Sequence, residues 1–108
     1  MIIVCHKPLK LLKISGITLF PFIFVRNLED KKNKVLINHE KIHLRQQMEL
    51  LVVFFYILYV IEYYYWLFRL KNPYHAYRRI SFEREAYGNE HDLGYLRKRK
   101  FWSFWKYL

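Results

Sequence analysis

The feature that most constrains the fold of this chain is a long segment, residues 35–71, that contains neither glycine nor proline. Its residue pattern is helical throughout and predicts one continuous helix. We expect this helix to end before Asn72-Pro73, because the residue before a proline is disfavoured in the helical region of backbone conformation. Asn72 then fits the N-cap of a second helix and Pro73 its first position, and that helix is predicted to continue to Leu93.

The segments outside these two helices predict a small strand-bearing region and a short final helix. Residues 13–26 are rich in β-branched and aromatic side chains, which indicates a strand or a two-piece hairpin, with Pro21 at an edge or a bulge. Residues 27–34 are polar and charged and predict a solvated loop. Residues 94–108 predict the short final helix. The sequence as a whole predicts a mostly helical α+β fold in a single domain, residues 1–108.

The composition is that of a folded protein and not of a disordered tail. Of the 108 residues, 54% are hydrophobic and 20% are aromatic, so the chain can bury a small core. The single cysteine, Cys5, excludes an internal disulfide and a zinc cluster built from cysteines of one chain. The first residues lack the charged-then-apolar order of a cleaved signal peptide. We therefore expect a cytoplasmic protein, or one peripherally associated with the inner membrane.

The charge balance indicates an anionic partner. Nineteen basic residues against nine acidic ones give a net charge of +10, which favours a membrane surface, a nucleic acid or an acidic peptide. The tail from Arg97 onward interleaves positive charge with phenylalanine and tryptophan. This composition suits a helix on anionic lipid better than base stacking on a nucleic acid. The alternative is that these aromatic side chains pack on the second helix and leave the basic groups in solvent.

Residues 50–70 are long enough to cross a bilayer if Glu62 and Arg69 can be accommodated there. The uninterrupted apolar part, however, covers only residues 50–61, and the aromatic residues 63–66 resemble those of a membrane-interface belt. These two features favour a core or interface helix over a membrane span. Glu62 is expected to pair with a cation such as Arg69 or Arg79 or to lie at a water interface.

An HExxH motif, His39-Glu40-Lys41-Ile42-His43, lies within the first long helix. Residues four apart share one helix face, so His39 and His43 can both direct an imidazole nitrogen at one cation, the spacing that zinc needs. Glu40 lies beside that face, where it can take a proton from water that the zinc ion activates. A catalytic zinc ion takes three protein ligands. Since residues 44–50 contain no histidine, we expect the third ligand to be an acid of the second helix.

That second helix carries the sequence SFEREAY at residues 81–87. HEKIH followed by FEREAY resembles the gluzincin metallopeptidases, and the length and layout are most similar to those of the minigluzincins. The pattern also resembles integral membrane metallopeptidases of the prenyl-protease and antibiotic-sensor types. The resemblance covers residues 35–90. It implies zinc ligands at His39 and His43, a general base at Glu40, and a glutamate ligand on the separate helix.

Two glutamates compete for the third ligand position that this resemblance implies. Glu83 fits the family's E-x-x-A pattern through Ala86, whereas Glu85 fits E-x-x-x-D loosely, with Asn89 at the aspartate position. The two lie about 200° apart around a helix, so they cannot share the role without rearrangement. We favour Glu83 and keep Glu85 as the alternative, although Tyr87 stands where an orienting aspartate would follow Glu83.

Other polar residues are expected to serve the structure more than the site. Gln46 and Gln47 could form hydrogen bonds near the site, but a solvated or helix-packing position is favoured for both. His75 and His91 are predicted to lie at the surface or to support the site from outside it.

Taken together, the two motifs predict a zinc-dependent metallopeptidase acting on a peptide or protein substrate. Zinc would polarise the scissile carbonyl and activate water, and Glu40 would carry the proton to the leaving amine. The strand region, residues 14–25, is expected to pair with an extended substrate, as edge strands do. The competing hypothesis is a non-catalytic, membrane-peripheral or anion-binding helical module whose metal site is latent or structural.

Overall fold

The computed structural model describes residues 2–108 and has the predicted mostly helical α+β fold. In chain order its strands and α-helices are β1 (Ile2–Val4), α1 (His6–Leu11), β2 (Gly16–Leu19), β3 (Phe22–Val25), α2 (Lys34–Glu49), α3 (Val53–Leu70), α4 (Pro73–Arg79), α5 (Ser81–Asn89) and α6 (Tyr95–Lys98). Two short 3₁₀ helices, Leu28–Lys32 and Ser103–Tyr107, complete the described residues. The predicted loop contains the first 3₁₀ helix. The prediction of one final helix is wrong, because Arg99 is extended and separates α6 from the second 3₁₀ helix.

The three strands form one small sheet in the order β1-β3-β2. β2 and β3 form the predicted hairpin, with Gly16 opposite Val25, and Pro21 lies in the turn that joins them. β1 pairs in parallel with β3, which the sequence analysis did not predict, because three residues are too few to show an alternating pattern. β2 therefore forms one edge of the sheet, and it lies against α2.

The prediction of one continuous helix over residues 35–71 is wrong, because the chain turns between α2 and α3. Leu51 and Val52 have positive φ angles of 56° and 62°, and the N–H of Val53 bonds back to the carbonyl of Leu51. Neither residue is a helix breaker, so the turn follows from tertiary packing. It brings Phe55 of α3 back onto Phe82 of α5, with ring centroids 4.6 Å apart.

The second predicted helix is also divided, although its start is correct. The Asn72 side chain accepts a hydrogen bond from the N–H of His75, with Pro73 at the first position. Ile80 then adopts an extended conformation, and α5 begins at Ser81 and ends at Asn89, before the predicted end at Leu93. The break leaves the first N–H groups of α5 without helical partners.

Glu62 of α3 supplies the missing partner. Its carboxylate accepts hydrogen bonds from both the N–H and the hydroxyl of Ser81, each 2.7 Å long. The expected pairing of Glu62 with Arg69 or Arg79 is therefore replaced by this cap, because a carboxylate is also stabilised at a helix N-terminus by the unpaired N–H groups. Glu62 is half-buried, so the expectation of a water interface is not contradicted. This contact joins the middle of α3 to the start of α5.

Two apolar clusters hold these elements together. One contains Ile23, Val25 and Ile37 and fixes the sheet on α2. The other is formed by side chains from the α2–α3 turn, α3, the start of α5 and the tail: Leu50, Phe55, Ile80, Phe82 and Phe104. Phe104 brings the C-terminal tail into the core, while Phe101 and Trp105 of the same tail are exposed.

One helix, α3, has the length and the apolar composition of a membrane span. Core helices of soluble proteins can be equally long and apolar, but most of their residues are buried. Of the 18 residues of α3, Phe55 alone is buried. The helix therefore packs along one side only and exposes most of its apolar surface.

Candidate metal centre

His39 and His43 lie one turn apart on α2 and are both buried, with exposed fractions of 5% and 6%. Their Nε2 atoms are 3.1 Å apart and face the same point. Glu83, from the first turn of α5, brings its Oε1 atom to 3.3 Å from His39 Nε2 and 3.0 Å from His43 Nε2. The three side chains thus converge as expected, and their ligand atoms all lie within 4.8 Å of one another.

The hydrogen bonds of the two imidazole rings leave their Nε2 atoms free to bind a cation. His39 Nδ1 lies 2.7 Å from Oε1 of Glu90, and His43 Nδ1 lies 2.8 Å from Oε1 of Gln46. Both partners are acceptors, so each Nδ1 carries a hydrogen and donates it. The lone pair of each Nε2 then points to the centre, which is how second partners orient histidine ligands of metals.

Charge at the centre is concentrated on Glu83. Burial opposes ionisation of this carboxyl, but the two neighbouring imidazoles outweigh burial and hold the pKa of Glu83 well below its usual value. The Tyr59 hydroxyl donates a hydrogen bond of 2.6 Å to Oε2 of Glu83. Glu83 is therefore an anion with one oxygen held by Tyr59 and the other facing the histidines.

His43 responds to this anion. Burial alone would lower its pKa, but the charge and the hydrogen bond of Glu83 outweigh that effect and raise the pKa to about 9. Without a metal ion, the His43 ring therefore binds a proton at the point where the three ligand atoms meet. A divalent cation at the same point would replace that proton.

Glu40 lies beside the two histidines and is also buried, with 5% exposure. The Thr18 hydroxyl lies 2.7 Å from Oε1 of Glu40 and 2.9 Å from its backbone carbonyl oxygen. Gly16 of the same strand leaves room for the carboxylate, because a Cβ atom there would lie 3.4 Å from Oε2 of Glu40. β2 thus positions the carboxylate that the sequence analysis predicts as a general base.

β2 is in turn attached to α2 through Gln47. The side-chain N–H of Gln47 donates to the carbonyl of Thr18, and its oxygen accepts from the N–H of Phe20. The interpretation of Gln47 as a solvated or generally packed residue is therefore too weak, since it fixes the strand that holds Glu40. The interpretation of Gln46 needs the same correction, because Gln46 orients His43.

Two clefts meet at this centre. A cleft of about 390 Å³ contains His39, His43, Glu40 and Glu83 in its wall, which is otherwise largely apolar, with Leu12, Ile14, Ile17, Phe55, Tyr56, Tyr59 and Tyr77. A wider groove of about 950 Å³ also reaches His39 and Glu40, and Tyr77 lines both. His39 and Glu40 therefore line both clefts, whereas His43 and Glu83 line the smaller one.

Glu85, the alternative third ligand, is directed away from the centre. It pairs with Arg99, which also binds Glu49 of α2. Gln46 connects the two groups of side chains, since its side-chain N–H donates to Glu85 at 2.9 Å while its oxygen faces His43. Asn89, expected at the orienting aspartate position for Glu85, bonds instead to the backbone carbonyl of that residue.

Three residues that contact the site were not predicted from the sequence: Glu90, Thr18 and Tyr59. Glu90 follows Glu83 by two helical turns, a spacing that places both on one face, so the pattern of α5 contained a usable signal for it. Thr18 and Tyr59 come from other elements, and their positions depend on the hairpin and on the α2–α3 turn. His75 and His91 lie at the surface, and His91 is 3.6 Å from Glu90.

Comparisons of the chain with protein-family models, with curated proteins and with solved structures find no match. The resemblance to gluzincins therefore rests on the two motifs alone. The structure adds the convergence of His39, His43 and Glu83 to those motifs.

Proposed function

We propose that this protein is a zinc-dependent metallopeptidase of the gluzincin type. The observation that carries the proposal is the position of Glu40 beside a buried His39–His43–Glu83 group, in a cleft that opens to solvent. A structural metal site is closed by the three ligands and a fourth donor. It does not require a further carboxylate at the cleft wall, such as that of Glu40.

The donor set fits zinc. Two neutral imidazole nitrogens and one carboxylate oxygen form a ligand set that recurs in catalytic zinc sites and leaves a further position open. The absence of further carboxylates among the three donors disfavours calcium and magnesium, which prefer oxygen ligands. When bound, zinc would supply Lewis-acid chemistry, polarising a carbonyl and making water more acidic.

Glu40 supplies the proton transfers in this proposal. As a carboxylate it accepts a proton from the attacking water and then delivers that proton to the amine that leaves. The Thr18 hydroxyl holds one carboxylate oxygen, which leaves the other free to face the cleft. This arrangement restricts the orientation of Glu40.

The edge strand supports a peptide as the substrate. In the described residues, β2 pairs with β3 on one side only, and Ile17 and Thr18 of β2 line the cleft. Gln47 already binds the carbonyl of Thr18 and the N–H of Phe20, so an extended peptide would add through backbone hydrogen bonds to the start of the strand, around Gly16, beside the row of site residues. The free Cys5 thiol agrees with a cytoplasmic or inner-membrane-associated location, where thiols remain reduced.

The test compares Glu40→Gln with wild type after zinc loading. We expect both proteins to bind zinc, and we expect the variant to cleave a mixed library of quenched-fluorescence peptides about 10²–10⁴-fold more slowly, because the general base is lost. Glu29→Gln, the same change at an exposed residue, is the matched control and should cleave as wild type does.

An intact Glu40→Gln variant that cleaves as fast as wild type would contradict the proposal. A zinc-loaded wild type that cleaves no peptide in the library would favour the alternative, a non-catalytic module with a structural or latent metal site.

A further inference from the structure

An unbroken apolar surface runs along the outer side of α3. The exposed apolar side chains that form it lie within an arc of about 160° around the helix axis, at 100° per residue. We call this surface the α3 stripe; it consists of Val53, Phe54, Ile57, Leu58, Val60, Ile61, Tyr64, Tyr65 and Phe68. Each of these side chains is at least 37% exposed, and Phe68 reaches 81%. Monomeric soluble proteins rarely leave so long an apolar surface uncovered.

The opposite side of α3 packs against the rest of the protein. Phe55 packs on Phe82, Tyr59 bonds to Glu83, and Glu62 caps α5 at Ser81. The one acidic residue of α3 is thus already engaged on the inner side. The α3 stripe itself contains no charged residue.

These inner contacts decide the orientation in which α3 can meet a bilayer. Arg79 of α4 lies over the ring of Trp66 at 4.5 Å, and α4 packs closely along α3. If α3 crossed the membrane, it would carry the exposed Arg78 and Arg79 of α4 into the hydrocarbon, at a large cost. An α3 lying in the plane of the interface immerses the stripe alone and leaves α4 in water.

The charges around the stripe complement an anionic surface. Exposed cations gather at the carboxyl end of α3: Arg69, Lys71, Arg78 and Arg79. Tyr64 and Tyr65 lie in the last turns of the stripe, where amphipathic rings favour the headgroup level. The net charge of the chain is +10. Two copies meeting through their uncharged stripes would each carry this net positive charge, which opposes their association, whereas anionic headgroups would neutralise the cations.

We propose that the α3 stripe docks this protein in the plane of an anionic lipid bilayer. Docking turns the inner face of α3, with Tyr56 and Tyr59 at the cleft wall, away from the lipid. The site then lies next to the membrane surface and remains open to water. This inference rests on the stripe and its surrounding charges, and it holds whether or not the cleft cleaves peptides.

The test is flotation of the full chain with vesicles of phosphatidylcholine and phosphatidylglycerol, compared with vesicles of phosphatidylcholine alone. We expect binding to the anionic vesicles that weakens as salt is raised. Ile61→Glu and Phe68→Glu should each weaken it about tenfold or more, since each removes buried apolar area and adds a repelled charge. Leu93→Glu, at a residue that is 55% exposed outside α3, is the matched control and should bind as wild type does.

Unchanged unfolding temperatures would show that the variants fold. Failure to bind any vesicle would overturn the proposal, and so would binding that both stripe variants retain, because the basic tail would then be responsible. A lipid-free dimer abolished by the stripe variants, without vesicle binding, would assign the stripe to a second copy and overturn it as well.

A depth measurement tests the in-plane orientation. In a Cys5→Ser background, single cysteines at Phe54, Ile61 and Phe68 can carry an environment-sensitive fluorophore that is quenched by labelled lipids. Equal depths at the three positions are expected for a helix lying in the interface. A steady gradient of depth from Phe54 to Phe68 would mean that α3 crosses the bilayer and would overturn the proposal.

Discussion

A single hydroxyl fixes the orientation of the proposed general base. Thr18 contacts both the carboxylate and the backbone carbonyl of Glu40, and Gln47 holds the strand that carries Thr18. Hydrogen bonds to charged groups contribute about 1.5–3 kcal/mol. In the proposed mechanism, the proton transfers of Glu40 would therefore depend on the hydroxyl of Thr18, which is not among the three proposed ligands.

Thr18→Val should preserve zinc binding and reduce catalysis. The substitution keeps the shape of the side chain but removes the hydrogen bond to Glu40, so we expect kcat to fall about tenfold or more, with little change in KM. Peptide cleavage under saturating conditions, measured together with zinc content, checks this prediction. An unchanged kcat would show that Thr18 does not position the base.

The elevated pKa of His43, about 9 without a metal ion, makes zinc binding dependent on pH. Below that pKa the ring holds a proton, and zinc must displace it. We therefore expect zinc affinity to fall as pH falls, by up to about tenfold per pH unit between about pH 8 and 6. Competition with a chelator of known affinity at each pH measures this. An affinity that stays constant over the range would contradict the assignment of His43 as a ligand.

The three proposed ligands could be identified from motifs and residue spacing, whereas the residues that hydrogen-bond to the site could not. HEKIH sets His39 and His43 four residues apart, and any helix places them on one face. The choice of Glu83 over Glu85 as the third ligand followed from the resemblance of FEREAY to the gluzincin pattern. The structure places Glu83 beside the two histidines. Thr18 lies on a different element from Glu40, so no local pattern connects the two.

At the scale of elements, the turn between α2 and α3 stores backbone strain. Val52 has φ 62° and ψ −57°, and the hydrogen bond from Val53 to Leu51 closes a tight γ-turn around it. Such a conformation costs about 1–3 kcal/mol for a β-branched residue. The packing of Phe55 and Leu50 in the core offsets this cost.

Val52→Gly should therefore stabilise the protein. Glycine adopts positive φ without steric cost, and we expect the free energy of unfolding to rise by about 1 kcal/mol after the loss of the half-buried valine is included. Val53→Gly, one residue later in the helix, should instead lower it by about 1 kcal/mol. Urea denaturation of the two variants measures both changes, and equal destabilisation in both would exclude strain at Val52.

Glu85, Arg99 and Glu49 form a buried ionic connection between α5, the tail and α2. Burial favours the neutral acid, but hydrogen bonds from Arg99, Tyr95 and Gln46 outweigh it and lower the pKa of Glu85 below its usual 4.5. The stabilisation is complete above pH 4.5. It is lost as the pH falls from there towards the lowered pKa of the folded state, because the unfolded chain takes up the proton first.

Glu85→Gln should weaken folding at neutral pH and reduce its acid sensitivity. We expect a loss of about 3 kcal/mol at pH 7, since Arg99 is left buried with one partner fewer. The decline of stability below about pH 4.5 should also become shallower. Urea denaturation at several pH values measures both effects, with exposed Glu29→Gln as the control. An acid limb identical to that of wild type would show that Glu85 does not contribute to it.

The start of a helix was easier to predict from the sequence than its uninterrupted length. Asn72-Pro73 marked the true beginning of α4, because capping and proline geometry are local properties. The breaks at Leu51–Val52 and at Ile80 carry no glycine or proline and result from packing between distant segments. β1 was missed because its pairing with β3 is long-range.

At the scale of the whole molecule, the mostly helical α+β fold was predicted from the order of apolar patterns. The division of α3 into a packed side and an exposed apolar side was not predicted. The same helix lines the cleft with Tyr56 and Tyr59 and carries the α3 stripe on its outer side. Composition indicated an interface or core helix, but only the contacts of Phe55 and Glu62 show which side of α3 packs on the protein and which side is exposed. The proposed zinc site and the proposed membrane surface thus share one element.

The most direct test of the metal centre is zinc content, measured by mass spectrometry after zinc loading and dialysis. We expect about one zinc ion per chain in wild type, loss of that ion in His39→Ala and Glu83→Gln, and its retention in Glu85→Gln. Folded wild type that retains no zinc would contradict the assignment of His39, His43 and Glu83 as a metal centre and, with it, the proposed peptidase activity.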